Sequence, residues 1–195
     1  DLVYNTYTIP SVILTIPANG AENVAIDLSE SEGKIVVKFS EAIDNSISAS
    51  SVIEISPSIE GEASWEDNKT LVFKLEKDSW LAYVTKYKIT IKTDDLSSTK
   101  IEGVRSKKGV ALEKDYVFSF TTEEPKFSIS VNPEIEILSK TGKTSVTHTI
   151  NIQNQCRKEE EFDFETAIEN TTAYLEFTLP IIENPIKIKK AEIKE

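Results

Sequence analysis

Residues 34–43 read Lys34-Ile35-Val36-Val37-Lys38-Phe39-Ser40-Glu41-Ala42-Ile43, and this stretch decides the fold class. Ile35, Val37 and Phe39 recur at every second residue, the repeat of a strand whose successive side chains point to opposite faces. Lys34 and Lys38 fall on the other phase, so one face reads as buried and the other as solvated. The same phasing recurs outward in both directions: Val12, Leu14 and Ile16 before it, then Leu71, Phe73 and Leu75, Tyr87, Ile89 and Ile91, and Tyr116, Phe118 and Phe120 after it. Each set is expected to line a buried sheet face. Between the sets lie Pro17-Ala18-Asn19-Gly20, Ser56-Pro57-Ser58 and Glu66-Asp67-Asn68-Lys69, whose residue types supply turn geometry. No window carries the i, i+3, i+4, i+7 spacing of a long helix, so the chain reads as all-β, a sandwich or barrel of short strands.

The alternation breaks at Glu123-Glu124-Pro125, where proline removes a backbone donor that a central strand needs. This predicts a first domain over 10–122, a linker over 123–126 and a second, smaller sandwich-like domain over 127–195. The second domain has its own apolar sets: Phe127, Ile129 and Val131; Ile135 and Ile137; Val146, His148, Ile150 and Ile152; Phe162 and Phe164; Leu175, Phe177 and Leu179. Its last segment, 186–193, is lysine-rich and reads either as a charged, protected edge strand or as a strand that needs a missing neighbour. Residues 1–9 are β-prone and precede Pro10, a lead-in strand or a remnant.

The chain has 195 residues, a formal net charge of -11 and a pI near 4.7. That charge repels phosphate backbones and anionic lipid surfaces, so neither nucleic acid nor an anionic membrane is an expected partner. No apolar run reaches the ~20 residues of a membrane-spanning helix, so membrane insertion is not expected. The lysines Lys34, Lys38, Lys86, Lys88 and Lys92 read as a solvated sheet face. The chain begins at Asp1, has no methionine and shows no leader pattern, and reads as a piece of a longer protein. One cysteine, Cys156, excludes an intrachain disulfide framework and reads as an incidental thiol at a strand end.

Residues 17–122 resemble the bacterial Ig-like domain family of S-layer and other prokaryotic surface proteins. The resemblance is carried, in order, by Pro17-Ala18-Asn19-Gly20 with Val24 and Ile26, by the strand ending Phe39-Ser40-Glu41-Ala42, by the hairpin from Trp65 to Phe73, by the Leu81-to-Tyr87 spacing, and by Tyr116-Val117-Phe118-Ser119-Phe120-Thr121-Thr122. It implies tandem immunoglobulin-like β-sandwich domains, the second only generically so. The chain departs from the family at Ala82-Tyr83-Val84-Thr85, where proline and glycine are usual. Independently of the family, Tyr87 is placed to act as a corner residue whose hydroxyl returns to backbone.

A search for chemistry yields few candidates. Lys140-Thr141-Gly142-Lys143-Thr144 ends like a phosphate loop but lacks the earlier glycine and the strand-to-helix setting, and reads as a hairpin. His148 is the only histidine, which removes every multi-histidine zinc site, and no Gly-x-Ser-x-Gly elbow accompanies it. Acidic runs such as Glu159-Glu160-Glu161 read as solvated surface. Calcium takes ~6 to 8 oxygen ligands, and the candidates are Asp94, Asp95, Glu123 and Glu124. Adjacent side chains on a strand point apart, so no tight metal site is expected. Catalytic and cofactor-binding residues are expected to be none, and the chain is expected not to be an enzyme. Asn68-Lys69-Thr70 and Asn170-Thr171-Thr172 fit the glycosylation sequon.

These readings converge on a non-catalytic spacer or structural module of an extracellular or cell-surface protein, with other domains of its parent as partners. One alternative is adhesion to a cell-wall or extracellular glycan or protein, through the long loop 94–114 or a sheet edge. Another is a fragment of a macroglobulin-like protease trap.

Overall fold

The computed structural model describes residues 7–95, 97, 102–132, 149–162 and 186–188. Contacts divide the chain into two compact units, Asp1–Glu124 and Pro125–Glu195.

Among the described residues, the first unit is built from eight strands in two four-stranded sheets. They are β1 (Val12–Ile16), β2 (Ala21–Val24), β3 (Lys34–Phe39), β4 (Ile53–Ser56), β5 (Gly61–Trp65), β6 (Thr70–Leu75), β7 (Lys86–Ile91) and β8 (Tyr116–Thr122). One sheet has the order β1-β3-β6-β5 and the other β2-β8-β7-β4. Neighbours in these sheets pair antiparallel except β2 and β8, which run parallel. A single helical turn, α1 (Ala49–Val52), leads into β4 and buries Ala49 and Val52.

The period-two sets meet in the space between the sheets. Ile35, Val37 and Phe39 of β3, Leu71, Phe73 and Leu75 of β6, Tyr87, Ile89 and Ile91 of β7, and Phe118 and Phe120 of β8 are buried in one apolar cluster. Full burial of each such side chain is worth ~1.5–3 kcal/mol, so the sheet pairing follows from the pattern. Trp65 tilts against Phe39 with ring centroids 6.1 Å apart, and its indole N–H donates to the Ile47 carbonyl at 3.0 Å.

Local chemistry fixes the turns. In the β5–β6 hairpin the Asp67 carboxylate accepts the Lys69 N–H at 2.6 Å and the Thr70 hydroxyl at 3.1 Å. The Lys69 N–H is the main reason the Asp67 carboxyl sits below its ordinary range. At the other end, Gly20 takes φ +78° with its N–H on the Ser119 carbonyl at 2.7 Å, a left-handed conformation glycine adopts without steric cost.

Tyr87 is a corner residue. It is buried and stacks on Phe120 with centroids 5.6 Å apart, and its hydroxyl accepts the Ala82 N–H at 3.0 Å. The Ala82 carbonyl in turn accepts the Thr122 hydroxyl at 2.6 Å. The departure from the family pattern at residues 82–85 has a conformational counterpart: Val84 takes φ +48°, a region costly for a β-branched residue. Its N–H is held by the Glu123 carbonyl at 3.1 Å.

Three expectations need correction in this unit. Leu14 is 43% exposed rather than buried, because β1 shifts register between Val12 and Leu14. An extra residue in one strand flips the phase of the residues beyond it, and Leu14 then pairs with Lys38 on the outer face. Within the segment 94–114, the stretch from Val104 to Leu112 is not a free loop, since Val104, Ser106 and Leu112 are buried and isolated bridges join Thr93 to Val104, Ile43 to Ser106 and Arg105 to Ala111. Glu123, placed in the linker by the sequence, belongs to the first unit, with its N–H on the Val24 carbonyl at 2.9 Å.

In the second unit, β9 (Phe127–Asn132) pairs antiparallel with β10 (Thr149–Asn154), and β11 (Glu160–Phe162) with β12 (Ile186–Ile188). Phe127 and Ile129 are 50% and 56% exposed, where the alternation predicts burial. Cys156 is buried just beyond β10, its thiol sharing hydrogen bonds with the N–H and carbonyl of Lys126 at 3.3 and 3.2 Å. The Lys140-to-Thr144 stretch, His148, the Asn170 sequon, the sets at 135–137, 146–148 and 175–179, Phe164, residues 1–6 and 189–193 lie outside the described residues.

Candidate functional site

Two of the residues singled out for chemistry, Asp94 and Asp95, lie on the segment that leaves β7, while Glu123 and Glu124 follow β8. Beyond Ile91 the Lys92 N–H still donates to the Val52 carbonyl at 2.9 Å, and the Thr93 N–H turns to the Asp115 carboxylate at 2.8 Å. The Thr93 hydroxyl donates to the Leu112 carbonyl at 2.7 Å. Both ends of the 94–114 segment are thereby tied to one residue.

Asp94 faces inward. Its side chain is 2% exposed, and one carboxylate oxygen accepts the N–H groups of Glu102 and Gly103 at 2.9 and 3.2 Å. The other lies 3.8 Å from the Arg105 guanidinium. Two backbone donors and a cation satisfy the carboxylate where water does not reach. This approach requires glycine at 103, because a Cβ there would stand 2.0 Å from the Thr93 carbonyl oxygen.

Arg105 bridges two acids. Besides Asp94, its Nη2 and Nε donate to one Asp44 oxygen at 3.1 and 3.3 Å. The Ser46 hydroxyl, donating at 2.7 Å, is the largest influence holding the Asp44 carboxyl below its ordinary range, with Arg105 adding to it against partial burial. Arg105, Asp44, Gly103 and Asp115 were not singled out by sequence reading. Each is distant in sequence from the group it serves, and no local motif marks them.

The four calcium candidates are not brought together as a ligand set. Asp94 is committed inward, while its neighbour Asp95 is exposed and accepts the Ser97 hydroxyl at 2.6 Å and N–H at 2.9 Å. The hydroxyl bond is the main cause of its lowered pKa. Glu123 is half-buried and accepts the Ile26 N–H at 3.2 Å, while Glu124 is exposed. Among the described residues no three metal-ligating side chains converge. An open, polar depression of about 500 Å³ is lined by Ser51, Lys92, Thr93, Asp95, Glu102 and Asp115. Its lysine is paired with Glu54 at 3.2 Å, and its Asp115 carboxylate accepts the Thr93 N–H. Asp94 and Asp115 in this region therefore fasten backbone. Among the described residues no helix is long and apolar enough to cross a membrane.

A family model described as "Bacterial Ig-like domain" matches residues 6–122. No curated protein matches the chain. Among solved structures, an L,D-transpeptidase from Mycobacterium smegmatis is 18% identical with a TM-score of 0.35, over 60% of this chain and 41% of that one. The N-terminal part of the bacterial S-layer protein SbsC is 15% identical with a TM-score of 0.36, over 83% of this chain and 36% of that one. A longer form of SbsC, residues 31–844, is 15% identical with a TM-score of 0.35, over 83% of this chain and 21% of that one. The chain thus spans less than half the length of each.

Proposed function

The chain belongs, over residues 6–122, to the bacterial Ig-like domain family, and from that premise we propose that it is a non-catalytic spacer module of a longer bacterial surface protein. The observation that carries this reading is the use made of the polar side chains buried in the first unit. Asp94 holds the N–H groups of Glu102 and Gly103, Thr122 holds Ala82, and the Tyr87 hydroxyl holds the same residue. Groups that catalysis would leave poised toward a substrate are spent on backbone donors and acceptors. Such a site rigidifies the sandwich and has little left to offer a ligand.

Under this reading the neighbours of the module are other domains of its parent protein, and 127–195 is a second module in tandem. Its place is outside the cell, where the acidic surface remains solvated. Two measurements test the proposal. Antibody against the chain is expected to label intact cells of the source organism, and a glycan array is expected to show no binding. Labelling only after permeabilisation would refute the surface assignment. Glycan binding abolished by substitutions at Asp95, Glu102 and Asp115 would replace the spacer by an adhesion module.

A further inference from the structure

Near the chain's entry to the first unit lies β2, and β8 is the strand by which it leaves; the two pair in parallel, with Ala21 opposite Phe120 and Val24 opposite Thr122. The preceding β1 is held to β3 of the other sheet, so a load that strips β1 falls next on β2. Parallel neighbours have their starts at the same end, so the chain enters the β2–β8 pair at one end and leaves it at the other. Tension applied through the flanking chain therefore pulls β2 and β8 past each other along their length. In that geometry the connecting hydrogen bonds share the force and break together, whereas strands peeled from one end lose them singly.

The bonds across this pair extend beyond the ladder. At the entry end the Gly20 N–H donates to the Ser119 carbonyl at 2.7 Å, and the Ser119 N–H donates to the Asn19 side-chain oxygen at 3.1 Å. At the exit end Glu123 is joined three ways: its N–H to the Val24 carbonyl at 2.9 Å, its carboxylate to the Ile26 N–H at 3.2 Å, and its carbonyl to the Val84 N–H at 3.1 Å. Between the two ends β2 carries an irregularity, with three residue steps from Ala21 to Val24 facing two on β8 and Asn23 at φ +56°. A bulge fixes register, since sliding by one residue would place the extra residue against the wrong partner.

We infer that residues 19–26 and 119–123 form a shear clamp that resists extension of the chain, with the Glu123 side chain as its lock at the exit end. Glu123 is the last residue but one of the first unit, so tension from the following segment reaches it before the strands. A load on this residue is divided among the Val24, Ile26 and Val84 segments rather than concentrated at the end of β8. The clamp goes beyond the spacer reading, because a spacer needs only to fold whereas a clamp has a direction of strength.

The test is single-molecule extension of the full chain, flanked by marker domains and pulled from its two ends. Release of the residues from Val12 to Glu123 identifies the first unit by a gain of ~400 Å in contour length. Glu123→Ala removes the acceptor for the Ile26 N–H and leaves the backbone bonds. It is expected to speed forced unfolding about five-fold at a given force, the equivalent of one hydrogen bond of ~1 kcal/mol. Glu123→Gln, which keeps an acceptor oxygen, is expected to stay within about two-fold of the parent, on the same bond-energy scale of ~1 kcal/mol. Leu112→Ala, a core change outside the clamp, is the comparison: it should lower the urea midpoint more than Glu123→Ala does while accelerating forced unfolding less. Asn19→Ala serves as an exposed second clamp variant with the same expected sense. Forced-unfolding rates that simply follow the urea midpoints across all four variants would overturn the clamp, as would a parent chain whose first unit extends without a resolvable force peak.

Discussion

Replacing Asp94 by alanine tests the idea that buried acids here fasten backbone. The side chain is 2% exposed and serves two backbone donors, Glu102 N–H at 2.9 Å and Gly103 N–H at 3.2 Å. Hydrogen bonds to a charged group contribute ~1.5–3 kcal/mol each. Glu102 is exposed and Gly103 buried, so water can replace the first bond but not the second, and the sum falls at about 3 kcal/mol. Arg105 adds little to this loss, because it keeps Asp44 at 3.1 Å and remains part-exposed. For the matched residues 6–122 the entropy of unfolding at the midpoint is about 0.25 kcal/mol/K, so the midpoint should fall by about 12 °C. Both tryptophans, Trp65 and Trp80, lie in the first unit, and their fluorescence during heating reports this unit alone. Asp95→Ala, on the exposed neighbour, should change stability by no more than ~0.5 kcal/mol. A drop under ~2 °C for Asp94→Ala, or equal effects at 94 and 95, would refute the assignment of the carboxylate as a strut.

Tyr87→Phe should cost ~1 kcal/mol and lower the same fluorescence midpoint by about 4 °C, because the ring stays stacked on Phe120 and only the Ala82 bond is lost; an unchanged midpoint would remove the corner role. Acid should weaken the first unit in a defined window. Asp44, Asp67 and Asp95 have folded pKa values below the ordinary aspartate value, through Ser46, Lys69 and Ser97 respectively. A depressed folded pKa means the unfolded chain binds protons first, so this stabilisation is complete above about pH 5 and is lost as pH falls below about 4. Urea midpoints measured from pH 7 down to 3 should be flat and then decline, with Asp44→Asn reducing the decline; a midpoint that rises on acidification would contradict the sign.

How far the fold was legible depended on whether the signal was local. Ile35, Val37 and Phe39 announce their burial because the period of a strand is set by its own backbone. Tyr87 and Leu81 could be placed because a corner lies within a few residues of what it binds. Leu14 could not, since the bulge that turns it outward appears only in its pairing with Lys38. The segment 94–114 misled for a related reason: its core residues Val104 and Leu112 show no alternation, and the segment is held inward through isolated bridges to Thr93 and Ile43. Arg105, whose partners lie 61 and 11 residues away, carries no sequence mark at all.

The two acidic pairs show how one geometric rule served both an expectation and a surprise. Asp94-Asp95 and Glu123-Glu124 look alike as sequence, and chelation by either is disfavoured because neighbours on extended backbone point to opposite faces. The same divergence requires that, where one acid of such a pair faces solvent, the other turns toward the protein. An inward carboxylate must find donors or forfeit its charge, and extended chains nearby offer backbone N–H groups in regular supply. Asp94 takes those of Glu102 and Gly103, and Glu123 takes that of Ile26. Asp95 and Glu124 remain at the surface. In this protein each acidic doublet divides into one surface charge and one backbone strut, and the struts sit beside a long connection and at the end of a terminal strand.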